Sequence, residues 1–176
     1  MKEQEIWIKD LENLHLPRFN ELPQIPLYLD QVIEYTNTQL NVLFQFEESI
    51  LTRSMVNNYV KHKMMPAPQK KRYQQEHLVY IITISILKSI FSIGNISSGI
   101  EGALNQYDID VAYDMFVESI EESLKMLVNE LYQYDLKLET TERIRTPLKA
   151  ATLAFAAKIL ANYTFNAYVQ KENTHE

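Results

Sequence analysis

Cysteine is absent from the 176 residues, which excludes thiol catalysis, iron–sulfur ligation, thiolate zinc sites and disulfide scaffolds together. Glycine is scarce, with three residues in the chain, so a turn-rich β-sandwich or barrel is not expected. Long apolar runs are missing as well. The longest, Val79 to Phe91, has 13 residues and contains Lys88, against about 20 for a membrane-spanning helix. It is expected in a core instead, with no membrane partner. Met1-Lys2-Glu3-Gln4-Glu5 is acidic and opens no apolar signal segment, so a cytoplasmic location is the expectation. Basic residues are outnumbered too, 17 against 23 acidic, and the net charge of −6 taken as a sum argues against nucleic acid.

What the chain does contain is helical periodicity. Ile6, Trp7, Leu11 and Leu14 are spaced as on one helix face, and prolines 17, 23 and 26 then impose an extended stretch. A helix is expected from about Leu27 to Phe46. Thr52 is a good N-cap for a short amphipathic helix whose apolar positions are 51, 55, 56, 59 and 60. Pro66 and Pro68 stop it. Val79 to Ile86 is β-branched enough for a strand, but the unbroken 16 residues from Glu76 to Phe91 are too long for one. A central, nearly all-apolar helix is the better reading. Ser92 can cap a helix from Ile93 to about Leu104, a long helix with an acidic face follows over Ile109–Tyr134, and Thr146-Pro147 opens an alanine-rich one to about Val169. The expected fold is all-α, with at most a minimal β-wing, divided into residues 1–104 and a C-terminal helical hairpin over 105–176.

Charge is unevenly placed. Between Thr52 and Gln75 stand Arg53, Lys61, Lys63, Lys70, Lys71 and Arg72 with no acid, leaving 11 basic against 23 acidic residues elsewhere, a net of −12. The same window holds Ser54, Asn57, Asn58 and Gln69, side chains able to contact phosphates and base edges. A basic run can also be a mere solvated face, and that reading stays open here.

Tyr59-Val60-Lys61-His62-Lys63-Met64-Met65-Pro66-Ala67-Pro68, followed by Lys71-Arg72-Tyr73-Gln74-Gln75-Glu76-His77-Leu78, resembles the winged helix of the mercury-resistance-regulator-like transcription factors. Phe91-Ser92-Ile93-Gly94-Asn95-Ile96 is similar to the turn opening that superfamily's next helix. Two departures are plain: the superfamily commonly has a basic residue where Asn57 stands and a glycine where Lys63 stands. More closely, Leu16-Pro17-Arg18, Glu21-Leu22-Pro23, Leu27-Tyr28, Asp30-Gln31-Val32, Leu51-Thr52 and Val56 to Lys61 resemble a bacterial domain-of-unknown-function family. That family looks like a divergent branch of the same regulators. The resemblance implies an N-terminal winged helix-turn-helix that binds double-stranded DNA. A recognition helix at about 52–63 would present Arg53, Ser54, Asn57, Asn58 and Lys61 to the groove. Lys63, Lys70, Lys71, Arg72 and Tyr73, on and beside a short wing at about 69–73, would grip phosphates. A homodimer through the C-terminal helices, and an apolar pocket there for a small-molecule effector, are expected alongside.

No catalytic set assembles. His15, His62, His77 and His175 are scattered without metal-ligand spacing, and Glu118, Glu121 and Glu122 lack the Glu-x-x-His partner of bundle metal sites. Gly94, Gly99 and Gly102 do not lead into the Lys-Ser/Thr of a phosphate loop. The expectation is therefore a non-enzyme with no metal and no cofactor. The alternative to a regulator is a helical protein–protein interaction module whose basic patch meets an acidic partner.

Overall fold

The computed structural model describes residues 8–45, 49–136 and 145–172; Ile6, Trp7, Phe46 and His175 lie outside them. Two compact units divide the chain, Met1–Glu122 and Ser123–Glu176. The order of helices is α1 (Leu29–Leu40), α2 (Arg53–Lys61), α3 (Gln75–Leu87), α4 (Ile93–Leu104), α5 (Ile109–Leu136) and α6 (Arg145–Glu172). Among the described residues there is no strand, and β pairing is limited to two isolated antiparallel bridges, Leu27–Tyr73 and Gln69–Arg72. No helix among them is long and apolar enough to cross a membrane.

The first unit is built around α3. Leu78, Ile81, Ile82 and Ile84 are fully buried, on more than one face of the helix, so the apolar run is central in a core and not a strand. Against it pack Val32 and Leu40 of α1, Val56 of α2, Ile96 of α4, and Tyr113 and Val117 of α5. Burying four such aliphatic side chains contributes about 1.5–3 kcal/mol each.

Helix ends follow local chemistry. The Thr52 hydroxyl accepts from the Met55 amide at 3.3 Å and the Ser92 hydroxyl from the Asn95 amide at 3.3 Å, each an N-cap at the expected place. Helix α1 is shorter than expected, ending at Leu40 where Asn37, Thr38 and Asn41 weaken helix propensity. Leu43 and Phe44 still pack on the core from the turns beyond it. Ile50 and Leu51, just before α2, are docked by side chains. Both backbone groups of Leu51 bond the Asn37 amide side chain, its N–H donating at 3.0 Å and its C=O accepting at 3.3 Å, while Lys88 donates to the Ile50 carbonyl at 2.7 Å. Helix α3 ends at Leu87 instead of near Phe91, and α6 starts at Arg145, one residue ahead of the expected Thr146 cap.

The N-terminal segment is clamped onto α5 by charge. Glu121 accepts from the Leu16 amide and from both terminal nitrogens of Arg18, all at 2.7 Å. Asp114 accepts from the Phe19 amide at 2.7 Å, and Gln75 donates to the Phe19 carbonyl. Hydrogen bonding from Arg18 holds the Glu121 carboxyl below its ordinary value despite partial burial, and the same pairing raises the guanidinium. The backbone amide of Arg18, then His15, lowers the exposed Glu21 carboxyl likewise.

In the second unit, the Lys149 ammonium lies 5.9 Å from the Tyr134 ring centroid, joining α6 to the end of α5. Leu148, Phe155, Ile159, Leu160 and Tyr163 of α6 are all exposed.

Candidate nucleic-acid interface

Helix α2 turns Val56 and Tyr59 inward. Its other face exposes Arg53, Ser54, Asn57, Asn58 and Lys61, all on one short stretch of surface. The helix ends in a Schellman motif: the Lys63 amide donates to the Val60 carbonyl at 3.0 Å and the Met64 amide to the Tyr59 carbonyl at 2.9 Å. That motif requires a left-handed residue between them, and Lys63 takes it with φ 55°. The buried Met64 and Tyr59 supply the hydrophobic contact that accompanies such an end.

After Pro66-Ala67-Pro68 the chain reverses in two residues. The Arg72 amide donates to the Gln69 carbonyl at 2.9 Å, and Lys70 and Lys71 at the tip have φ 48° and 63°. Positive φ at both central positions defines a type I′ hairpin turn, which ordinarily selects Asn-Gly. Here it carries two exposed lysines. The hairpin is tied to the body by reciprocal bonds between Leu27 and Tyr73, at 2.8 and 2.9 Å. A wing therefore exists in minimal form, one tight turn anchored by one bridge.

Between α2, the hairpin and the first turn of α1 lies a groove of about 700 Å³, and Arg53, Asn57, Lys71 and Tyr73 line it together with Tyr28 and Asp30. The Arg53 guanidinium pairs with the Asp30 carboxylate. Arg72 lies over the Tyr28 ring, 3.5 Å from its centroid, and donates to the Pro26 carbonyl at 3.3 Å, which fixes a half-buried cation beside the groove.

Tyr73 is 5% exposed, its ring set edge-on to His77 with centroids 5.6 Å apart, so most of its side chain anchors the wing in the core while what stays open lines the groove. Ser54, Asn58, Lys61, Lys63 and Lys70 are exposed but do not line the groove. Tyr28 and Asp30 were not among the expected site residues. Their signal was positional: both sit at the start of α1, beyond the prolines, where only the fold brings them to the basic window. Among the described residues no three His, Asp or Glu side chains gather where they could hold a metal ion.

The sequence profile of a family described as Domain of unknown function (DUF1836) matches residues 17–116. The chain belongs to this family. No curated protein and no solved structure matches the chain. The DUF1836 span begins within the Arg18 clamp and ends in α5, so it takes in the whole groove and every residue of the basic window.

Proposed function

We propose that this DUF1836 protein is a DNA-binding transcriptional regulator, a divergent relative of the mercury-resistance-regulator-like winged-helix factors, with α2 as recognition helix and the 69–72 turn as wing. One observation carries the reading. Among the described residues, those other than glycine with positive φ are Lys63, Lys70 and Lys71, all three inside the basic window. A left-handed non-glycine residue costs about 1–2 kcal/mol, and glycine would remove that cost. Keeping a long cation at each such position makes physical sense where the cations meet a ligand, and backbone strain of this kind gathers at functional sites. Lys63 also stands where the resembled superfamily carries glycine. The six basic residues of the window stand against a net of −12 over the rest of the chain, which would orient a polyanion onto this spot and repel it elsewhere.

The test is equilibrium binding to a random-sequence duplex across salt. If about six phosphates are neutralised, affinity falls roughly 10³-fold between about 50 and 200 mM salt. Failure to retain duplex even at low salt overturns the reading and moves the weight to a module that docks an acidic protein partner.

A homodimer belongs to the same proposal. Leu148, Phe155, Ile159 and Tyr163 are exposed at spacings of 7, 4 and 4 along α6, an apolar stripe of the kind that helices bury against a partner. With Phe155→Asp and Ile159→Asp together, sedimentation should report half the mass of the parent protein. An unchanged mass excludes α6 as the dimer face. The partner of any effector pocket would lie on the same helices.

A further inference from the structure

Of the two arginines beside the groove, Arg53 is the one paired with a carboxylate among the described residues. Its guanidinium and the Asp30 carboxylate form an exposed ion pair across the space between α2 and α1. That is an odd arrangement for a residue meant to hold a phosphate. The pair has no net charge, and a phosphate approaching Arg53 meets the Asp30 carboxylate as well. Like charges in close range oppose binding, so the cation is largely withdrawn from sequence-independent contact. A neutral acceptor edge is treated differently. Guanine O6 and N7 bear partial negative charge but no formal charge, and a guanidinium has five N–H donors, more than one carboxylate occupies.

Arg53 is the first residue of α2, the end of a recognition helix that meets base edges. Asn57 lines the same groove one helical turn further on, and asparagine matches adenine N6 and N7. Four residues of helix rise about 6 Å, close to two base steps of about 3.4 Å.

Resting on the DNA-binding reading above, we propose that Asp30 is the specificity-determining residue of this groove. It reserves Arg53 for guanine by making phosphate contact unfavourable, and Asn57 reads an adenine about two steps away. Lys70, Lys71 and Arg72 grip the backbone; Arg53 does not.

The experiment compares two probes, a labelled duplex pool of random sequence and the pool obtained from it by repeated selection on the parent protein. The selected pool should contain a guanine and an adenine about two base pairs apart. Asp30→Asn should bind the random pool several-fold tighter, with the slope of log affinity against log salt steeper by about 0.9, the value of one added phosphate contact. Its preference for selected over random duplex should fall roughly tenfold, within the range for one bidentate base contact. Arg53→Gln should lose the same preference and also bind the random pool somewhat more weakly, because the Asp30 carboxylate is left uncompensated. Adding Asp30→Asn, which restores the neutral charge of the pair, should restore random-pool binding to the parent level without restoring the preference. Asp30 is exposed, and a melting curve shows whether each variant is folded. A preference unchanged in Asp30→Asn overturns the proposal, as does a preference retained in the double variant Arg53→Gln with Asp30→Asn. Absence of binding to either pool at low salt is a different result, and sinks the DNA reading itself.

Discussion

Replacing Lys70-Lys71 by Asn-Gly is expected to make the protein more stable and a worse DNA binder at once. The turn is type I′, with φ 48° and 63° at its two central residues, and Asn-Gly is the pair such turns favour. Glycine removes the left-handed cost at one position and asparagine lessens it at the other, which together should add about 2 kcal/mol, seen as a rise in melting temperature of roughly 8 °C for a unit of this size. Binding should weaken about tenfold or more at low salt, and the salt slope should flatten by about 1.8, the value of two phosphate contacts. Arg-Arg at the same positions keeps charge and strain, so it should keep both the affinity and the parent stability. A variant that gains stability and binds duplex as before would show that the wing tip touches no DNA.

The second large effect lies away from the groove. Glu121→Ala leaves the Leu16 amide and the partly buried Arg18 guanidinium without their shared acceptor. Removing one member of such a network costs about 2–4 kcal/mol, because the partners are stranded rather than merely separated. Chemical denaturation should read this as a lower midpoint with an unchanged slope. The pH dependence has a defined sign. Glu121 titrates lower in the folded protein than its ordinary 4.5, so the unfolded chain binds the proton first. The contribution is complete above that ordinary value and drains away as pH falls through the depressed folded one. In Glu121→Gln the acid limb of the stability profile should be shallower over that window. An acid limb identical to the parent's would mean that the clamp contributes nothing to folding.

Much of the fold could be read before any coordinate. Thr52 and Ser92 announced α2 and α4 because capping is a matter between a hydroxyl and an amide three residues on. Length, not propensity, separated helix from strand for α3, since its β-branched residues point the wrong way. The hairpin tip was less legible: Lys-Lys carries no turn signal, and its left-handed backbone is set by the Pro-Ala-Pro stretch before it and the Leu27 bridge after it. The burial of Tyr73 was hard to read for a related reason. A tyrosine next to three cations suggests a surface, whereas the bridge turns its ring toward His77. The pairs Asp30–Arg53 and Tyr28–Arg72 join residues 23 and 44 positions apart. No periodicity spans such distances, so the groove's two least expected members came only from the fold.

The bridge between Leu27 and Tyr73 also bears on kinetics. It closes a stretch of 46 positions with two hydrogen bonds, too small a return to offset the loop-closure entropy by itself. The bonds are made worthwhile by the burial of Leu27 and Tyr73 beside them in the core, which makes the wing a late arrival on the folding route, set when the helices pack. The basic hairpin thus hangs from a latch whose release would draw the buried Tyr73 ring out of the core, so its two lysines keep their places relative to α2.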